Sequence, residues 1–468
     1  MKLFEGVEMM GAVKSVFTKL YPGIPFVLVN TVSFIPYLVF LNMHTGAGWE
    51  GILPFVLFYT VRIAGIFLLK SFRLALTTLH IFILSLIVGA LGGIFGILGE
   101  WWYPCYLLSA VLIGLSAAWL PPTNTTIKYQ RKELKVKKEK TSLMTLVFMI
   151  VLIGIFIGSL TANFPARNLV IFTEYTLLYL AALFKMNSYP VQDRRMDKMD
   201  EQTFFMKEFL LFLVYFILLI IVRLARALFD SHYLSIAVIG FSACLIVASW
   251  YISTVHRNWK LPIWLNLLVF INGMSVNFIL LFGTFYTAFY FGNNKIALYL
   301  YTPYILGILA SKLLMKYIYH LFLKLDRELI HIFGLIFSLI LLMFRAIFPI
   351  GVFIFSMFIS AASTYLNQVY AESSELPKDQ RIIIRYAAQS KGSIVHQFLI
   401  MGGLWIMAKG SGISINTILQ ITGYREGNPQ ILHIIDAIHY LSIGILLYLL
   451  FFILYERLFK NRKLTIEK

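Results

Sequence analysis

Residues 79–99 read LHIFILSLIVGALGGIFGILG, a run with no Asp, Glu, Lys or Arg. A helix over this stretch rises about 30 Å, the thickness of a bilayer's hydrocarbon core. Similar charge-poor windows recur along the chain near 22–43, 51–69, 102–122, 142–162, 167–185, 207–228 and 233–255. Six more lie near 261–291, 296–316, 329–347, 350–370, 392–408 and 433–455, which makes fourteen expected spans. The composition agrees: 468 residues, 59% hydrophobic and 13% charged. Soluble domains carry roughly 45–50% apolar and about 25% charged residues, so a soluble enzyme or binding module is excluded. The expectation is an all-α polytopic membrane protein.

The net charge of +18 would suggest nucleic acid in a polar chain. Here the distribution of the charge carries the information. With fourteen spans and both termini cytoplasmic, 31 of the 40 Lys and Arg fall in inner segments and seven in outer ones, leaving Arg62 and Lys312 inside helices. That asymmetry follows the positive-inside rule of a multi-pass protein of the cell membrane, and removing one helix would scramble it. The N-terminal charges are followed by an apolar run without a small-residue cleavage site, so this run reads as a first span and not as a removed signal peptide. Cys105 and Cys244 both lie in apolar runs and offer neither a disulfide framework nor a metal cluster.

Three loops expected on the inner side stand out: 121–141, strongly basic; 186–206, of mixed sign; and 371–391. The one long outer loop is 409–432. None is large enough for a soluble catalytic domain. Internal similarity is short but consistent in offset. Arg62, Lys70 and Arg73 are spaced as Lys316, Lys324 and Arg327 are, and GLSAAWLPPTNTTIKYQRKE (114–133) parallels FISAASTYLNQVYAESSELPKDQR (358–381). The second span thus maps onto the tenth. The expected organisation is a six-helix bundle over 1–188, a linker and inserted helix pair over 189–256, and a second six-helix bundle over 257–468.

LKLDREL at 323–329 resembles the cytoplasmic Asp-Arg loop of the major facilitator superfamily. MIVLIGIFIGSLTANFPARNLVIF (149–172) resembles that family's Gly-rich fifth helix, with Gly154 and Gly158 but no Gly-Pro pair. KSFRLALTT (70–78) keeps Lys70 and Arg73 where the first-half loop would stand, without its Gly or Asp. The layout resembles the fourteen-helix form of the family over nearly the whole chain. The resemblance implies alternating access between two bundles, a central substrate cavity, and gating charges at Arg73, Asp326 and Arg327. The alternative architecture, the multidrug and polysaccharide flippase group, divides seven plus seven and would map the first helix onto the eighth.

Ionisable groups inside a membrane are costly and therefore candidates for function. Arg62 is a candidate for an anionic headgroup or carboxylate, against the bland alternative of a snorkelling side chain. Lys312, Lys316, His320 and Lys324 recur every four residues on one helix face, with Lys312 the deepest. Arg223 and Arg226 share a face at a helix end, where lipid anchoring is the ordinary reading. Glu174 is the clearest intramembrane carboxylate; it is either a proton-coupling group or a structural partner for Arg62 or Arg167. Asp436, between His433 and His439, is the second proton-coupling candidate, against a capping turn with an Asp–His pair. Asn30, Asn272 and Asn277, with Ser33, Asn266 and Ser275 nearby, are substrate-binding candidates or interhelical hydrogen-bonding residues.

No P-loop, HExxH or nucleophile elbow is present. No cofactor, metal or nucleic acid is expected. The partners expected are membrane lipids, a small-molecule or lipid-like substrate and a coupling proton. The functional expectation is a secondary-active transporter, not an enzyme, for a small or amphiphilic molecule, anionic or lipid-like, with export as the direction. A lipid-linked saccharide flippase is the alternative. A membrane acyltransferase using His80 or His396 is the third reading.

Overall fold

The computed structural model describes residues 23–32, 35–43, 49–71, 78–133, 166–184, 206–228, 238–243, 261–292, 295–376, 380–413 and 429–459, with residue 236 and a few positions between 148 and 159. Among these, the regular structure is helical throughout. The expected span 142–162 and most of 233–255 lie outside the described residues, as do Arg73, Ser33 and Cys244.

In chain order the first helices are α1 (Gly23–Thr31), α2 (Ile35–Asn42), α3 (Trp49–Ser71), α4 (Thr78–Leu98), α5 (Pro104–Glu133), α6 (Arg167–Phe184) and α7 (Met206–Leu228). A long rod follows, made of α8 (Ile263–Asn277), a π-helical turn (Phe278–Gly283) and α9 (Thr284–Phe291). A second π turn, Ala297–Tyr301, leads into α10 (Thr302–Leu321). The chain continues through α11 (Arg327–Leu342), a short 3₁₀ turn (Arg345–Ile347), α12 (Phe348–Glu372), α13 (Arg381–Gly410) and α14 (Pro429–Phe459).

Seven helical segments are long and apolar enough to cross a membrane: Leu53–Ser71, Thr78–Leu98, Pro104–Glu133, Ile263–Phe291, Leu298–Leu321, Arg345–Glu372 and Pro429–Leu458. α11 has 16 residues and rises about 24 Å, less than the hydrocarbon thickness. α13 carries Arg381, Arg385 and Lys391 in its first half. Large apolar side chains lie exposed along α10 (Ile305, Leu306, Leu309, Leu313) and α14 (Tyr448, Phe451, Phe452), a surface suited to lipid and not to water. The chain is an integral, multi-pass membrane protein.

The sequence placed loops where two helices continue. α5 runs on through Pro121 and Pro122 to Glu133. Thr123, Thr125 and Thr126 turn their hydroxyls back onto the carbonyls of Trp119, Pro121 and Pro122 at 2.7–2.9 Å, which satisfies these polar side chains within the helix itself. α13 begins at Arg381, well before the window at 392, because its polar first half is buried against neighbouring helices and does not face water. Hydropathy alone reads such a segment as loop.

The chain divides into two compact units, Met1–Phe216 and Ile217–Lys468, with the division falling inside α7. In the first unit α5 packs against both α3 and α4, and α4 against α6. One face of α4 is glycine: a Cβ on Gly89 would fall 2.3 Å from the Tyr179 ring, one on Gly93 2.3 Å from Thr176 Oγ1, and one on Gly96 2.4 Å from Phe172. Bare backbone there lets α6 seat its large residues directly on α4, the close approach that packing in lipid relies on. In the second unit α8 packs on α13, α10 on α12, and α11 on α12.

Candidate functional site

The α8–α13 contact of the second unit combines the closest helix approach with a group of buried polar side chains. A Cβ on Gly273 would lie 1.9 Å from the backbone oxygen of Gln389, and one on Gly392 would lie 1.9 Å from the backbone oxygen of Phe270. The two glycines let the backbones meet, and Ser393 Oγ donates to the Gly273 carbonyl at 2.8 Å. Around this contact α8 presents Asn272, Ser275 and Asn277, and α13 presents Arg385, Gln389, Ser393 and His396. On α13 these polar residues recur every three or four positions, one face of the helix.

Asn272 and Ser275 are each 1% exposed, Asn277 is 5% and His396 is 1%. Asn272 Nδ2 donates to the Ile359 carbonyl of α12 at 3.0 Å. Asn277 Nδ2 lies 3.2 Å from His396 Nδ1. An amide nitrogen can only donate, so Nδ1 accepts and the imidazole proton sits on Nε2. Among the uncharged side chains of the group, four atoms have no hydrogen-bond partner among the described residues: Asn272 Oδ1, Ser275 Oγ, Gln389 Oε1 and His396 Nε2. Buried polar atoms are nearly always paired, with protein, water or ligand. Asn277 stands halfway along the rod from Ile263 to Phe291, and His396 halfway along α13. The group therefore lies near the middle of both helical elements.

Each end of the unit is closed by charge pairs. At one end, where α8 starts and α14 finishes, Arg457 donates to Glu328 Oε1 at 2.7 Å and to Asp326 Oδ2 at 3.1 Å. Tyr365 donates to Glu328 Oε2 at 3.0 Å, and Arg457 lies over the Trp264 ring. Arg457 and Glu328 side chains are 9% and 12% exposed, Asp326 60%, so the Glu328 pair is the desolvated one. At the other end Tyr290 donates to Asp436 Oδ1 at 2.5 Å. Arg345 reaches both Asp436 oxygens at 3.4 Å and stacks over the Tyr290 ring at 3.6 Å. His439, one turn beyond Asp436, bonds the Leu342 carbonyl at 2.9 Å and stacks on Tyr286; His433 is exposed.

Of the residues singled out in the sequence, Asn272 and Asn277 meet in the polar group of the second unit. Asp436 and Asp326 stand in the two closing clusters, and Arg327 stacks over Tyr319 at 5.4 Å. Lys312 lies on the exposed face of α10 with Lys316 and His320, and Lys324 is exposed in the turn that follows. In the first unit, half-buried Arg62 lies over the Tyr59 ring at 5.5 Å. Glu174 accepts from Ser159 at 2.9 Å through Oε1, and its Oε2 is buried without a partner among the described residues. Lys70 pairs with Glu208. Asn30 is on α1, and its side chain, like those of Arg223 and Arg226 on α7, lies outside the described ones. No group of three metal-ligating side chains occurs among the described residues.

No family model matches the chain, and no curated protein matches it. Among solved structures it is similar to a Major Facilitator Superfamily transporter, FucP, in the outward conformation. That match has 12% identity over 94% of this chain and 98% of that one, with a TM-score of 0.45. It is equally similar to a variant of the E. coli fucose:proton symporter FucP, at 12% identity over 93% and 98%, TM-score 0.45. At that level the likeness assigns neither a family nor an activity.

Four residues central to the site escaped the sequence reading: Gln389, Arg385, Glu328 and Arg457. The spacing of Arg385, Gln389, Ser393 and His396 was the available signal. Read as loop and anchor charges, Arg381 and Arg385 hid the helix; both are buried, with Arg381 donating to the Ala371 and Leu376 carbonyls at the end of α12.

Proposed function

We propose that the chain is a secondary transporter of the cell membrane that binds a small solute at the polar group between α8 and α13 and works by alternating access. The observation that carries this reading is the set of four buried polar atoms, without partners among the described residues, near the middle of the α8–α9 rod and of α13. Unsatisfied polar atoms in a lipid-surrounded bundle are expensive, and solute sites of carriers lie near the bilayer midplane. The proposal extends to fourteen spans, cytoplasmic termini, a bundle–pair–bundle layout over 1–188, 189–256 and 257–468, and proton coupling through Glu174 or Asp436.

The acyltransferase reading would ask His396 to act as a general base, and its hydrogen bond speaks against that role. With Asn277 donating to Nδ1, Nε2 carries the proton and offers no lone pair. His80 is exposed, without the enclosed setting such chemistry needs.

The test is a thermal-stability screen of the purified protein against chemically diverse solutes, followed by transport into proteoliposomes. A solute in excess over its Kd raises the melting temperature by mass action, about 2.7 kcal/mol at a hundredfold excess. A stabilising solute that accumulates without nucleotide, and loses both effects in His396→Phe, supports the proposal. A stabilising solute that is chemically converted instead refutes it.

A further inference from the structure

Away from the α8–α13 contact, one exposed edge of the second unit joins lipid-facing side chains to a row of cations. On α10, Lys312, Lys316 and His320 recur every fourth residue and are all exposed, and Lys324 continues the row in the turn that follows. Successive members on the helix stand about 6 Å apart along its axis, as neighbours on one face. Leu313, Tyr317 and Leu321 on the same side are 70–76% exposed, a surface suited to lipid. We propose that this edge is a binding site for an anionic phospholipid. The lysines and Arg327 hold its headgroup phosphate, and its acyl chains lie along the apolar face of α10 toward Leu309 and Ile305.

The turn from α10 into α11 concentrates the charge. Arg327, the first residue of α11, is exposed and lies over the Tyr319 ring at 5.4 Å, which brings its guanidinium alongside the last turns of α10. Tyr319 is itself held in place, its hydroxyl lying 3.0 Å from His331 Nε2. The two carboxylates of this turn are engaged elsewhere. Arg457 takes Glu328 Oε1 at 2.7 Å and Asp326 Oδ2 at 3.1 Å, and Tyr365 donates to the other Glu328 oxygen at 3.0 Å. Lys312, Lys316, Lys324 and Arg327 thus line the edge with four positive charges.

Depth sets this row apart from ordinary anchoring charges. Lys312 stands nine residues before Leu321, about 14 Å from the end of α10. In a helix that spans from Leu298 to Leu321, the row therefore runs from headgroup level into the hydrocarbon. A charged side chain at that depth is costly, and a phosphate drawn between Lys312 and Lys316 lowers the cost. A zwitterionic lipid brings its own ammonium and gains no net attraction. A phosphate diester with an uncharged headgroup, such as phosphatidylglycerol, brings one negative charge, and each nearby Lys or Arg strengthens its binding about fivefold. A water-soluble phosphate ester carries the charge but gains nothing from the exposed leucines.

The experiment follows melting of the purified full-length protein in detergent titrated with phosphatidylglycerol, with phosphatidylcholine of the same acyl chains, or with glycerol phosphate. The expected result is saturable stabilisation by phosphatidylglycerol beyond that by phosphatidylcholine, and none by glycerol phosphate. Lys312→Gln and Lys316→Gln should each weaken the effect about fivefold, and Lys316→Arg should keep it. Lys409→Gln, which removes the same charge at the far end of α13, should respond as the wild type does. All these positions are exposed, and melting in phosphatidylcholine alone reports whether each variant is folded. Equal responses to the two lipids, or a phosphatidylglycerol response untouched by both lysine variants, overturn the site. Glycerol phosphate as effective as phosphatidylglycerol assigns the row to a free anion and overturns the lipid. Loss of a dimer in Lys312→Gln, with no lipid response in the wild type, assigns the face to a second copy of the chain and overturns it as well.

Discussion

Replacing Gly273 by alanine tests the geometry on which the site depends. The new Cβ would sit 1.9 Å from the Gln389 carbonyl oxygen, whereas carbon and carbonyl oxygen rest at about 3.3 Å. The neighbour is backbone, so α8 and α13 must separate by about 1.4 Å, the difference of those distances. Such a shift breaks the 2.8 Å bond from Ser393 to the Gly273 carbonyl and the 3.2 Å contact of Asn277 with His396. Overpacking costs about 1–3 kcal/mol and each lost hydrogen bond about 1 kcal/mol, or roughly 3–5 kcal/mol together. For a unit of this size that lowers the melting temperature by roughly 6–20 °C. The assay is retention of the monodisperse peak after heating the detergent-solubilised protein through a temperature series. Gly444→Ala is the control, because nothing lies within 4 Å of a Cβ there. A Gly273→Ala protein that melts with the control would refute the backbone-to-backbone packing of α8 on α13.

Three further outcomes follow from other parts of the structure. Arg457→Gln leaves Glu328 buried without its cation and should destabilise the protein by about 3–5 kcal/mol; adding Glu328→Gln should recover most of this, and a double variant no better than the single contradicts the pairing. In the first unit Gly93→Val drives a side chain into Thr176, where a Cβ alone already falls 2.3 Å from Oγ1, and should abolish the monodisperse protein; a variant that stays monodisperse would contradict the seating of α6 on α4. Cys105 is buried and, in a Cys244→Ser background, should react with a water-soluble maleimide only after denaturation; prompt labelling of the native protein would contradict the packing of α5.

Much of the helical plan was legible because lipid imposes one rule on every span: a long run without charge. The windows at 51–69, 79–99, 261–291 and 433–455 correspond to α3, α4, the α8–α9 rod and α14. The rule fails where polar residues face inward. The first half of α13 looks like a loop to hydropathy because Arg381, Arg385 and Gln389 are counted as though they met water. Asn272 and Asn277 were recognisable as unusual in an apolar run, but their partners were not. Which α13 residue comes level with Asn277 depends on Gly273 and Gly392 meeting face to face, a register that no single-helix pattern encodes. Asp436 was legible as a candidate carboxylate at the opening of the last helix, whereas its pairing with Arg345 and Tyr290 joins residues 91 and 146 positions away. His439, one of the two histidines flanking Asp436, bonds the Leu342 carbonyl. The glycine face of α4 was in plain view as Gly89, Gly92, Gly93 and Gly96, and its meaning appears only when α6 is laid on it.

The most direct test of the account is uptake of the best-stabilising solute of the screen by proteoliposomes containing the purified protein, with no nucleotide present. The account predicts saturable uptake in the wild type, loss in His396→Phe, and partial recovery in His396→Gln. Uptake unchanged by removing the imidazole, or equal to that of protein-free liposomes, would contradict a solute site between α8 and α13.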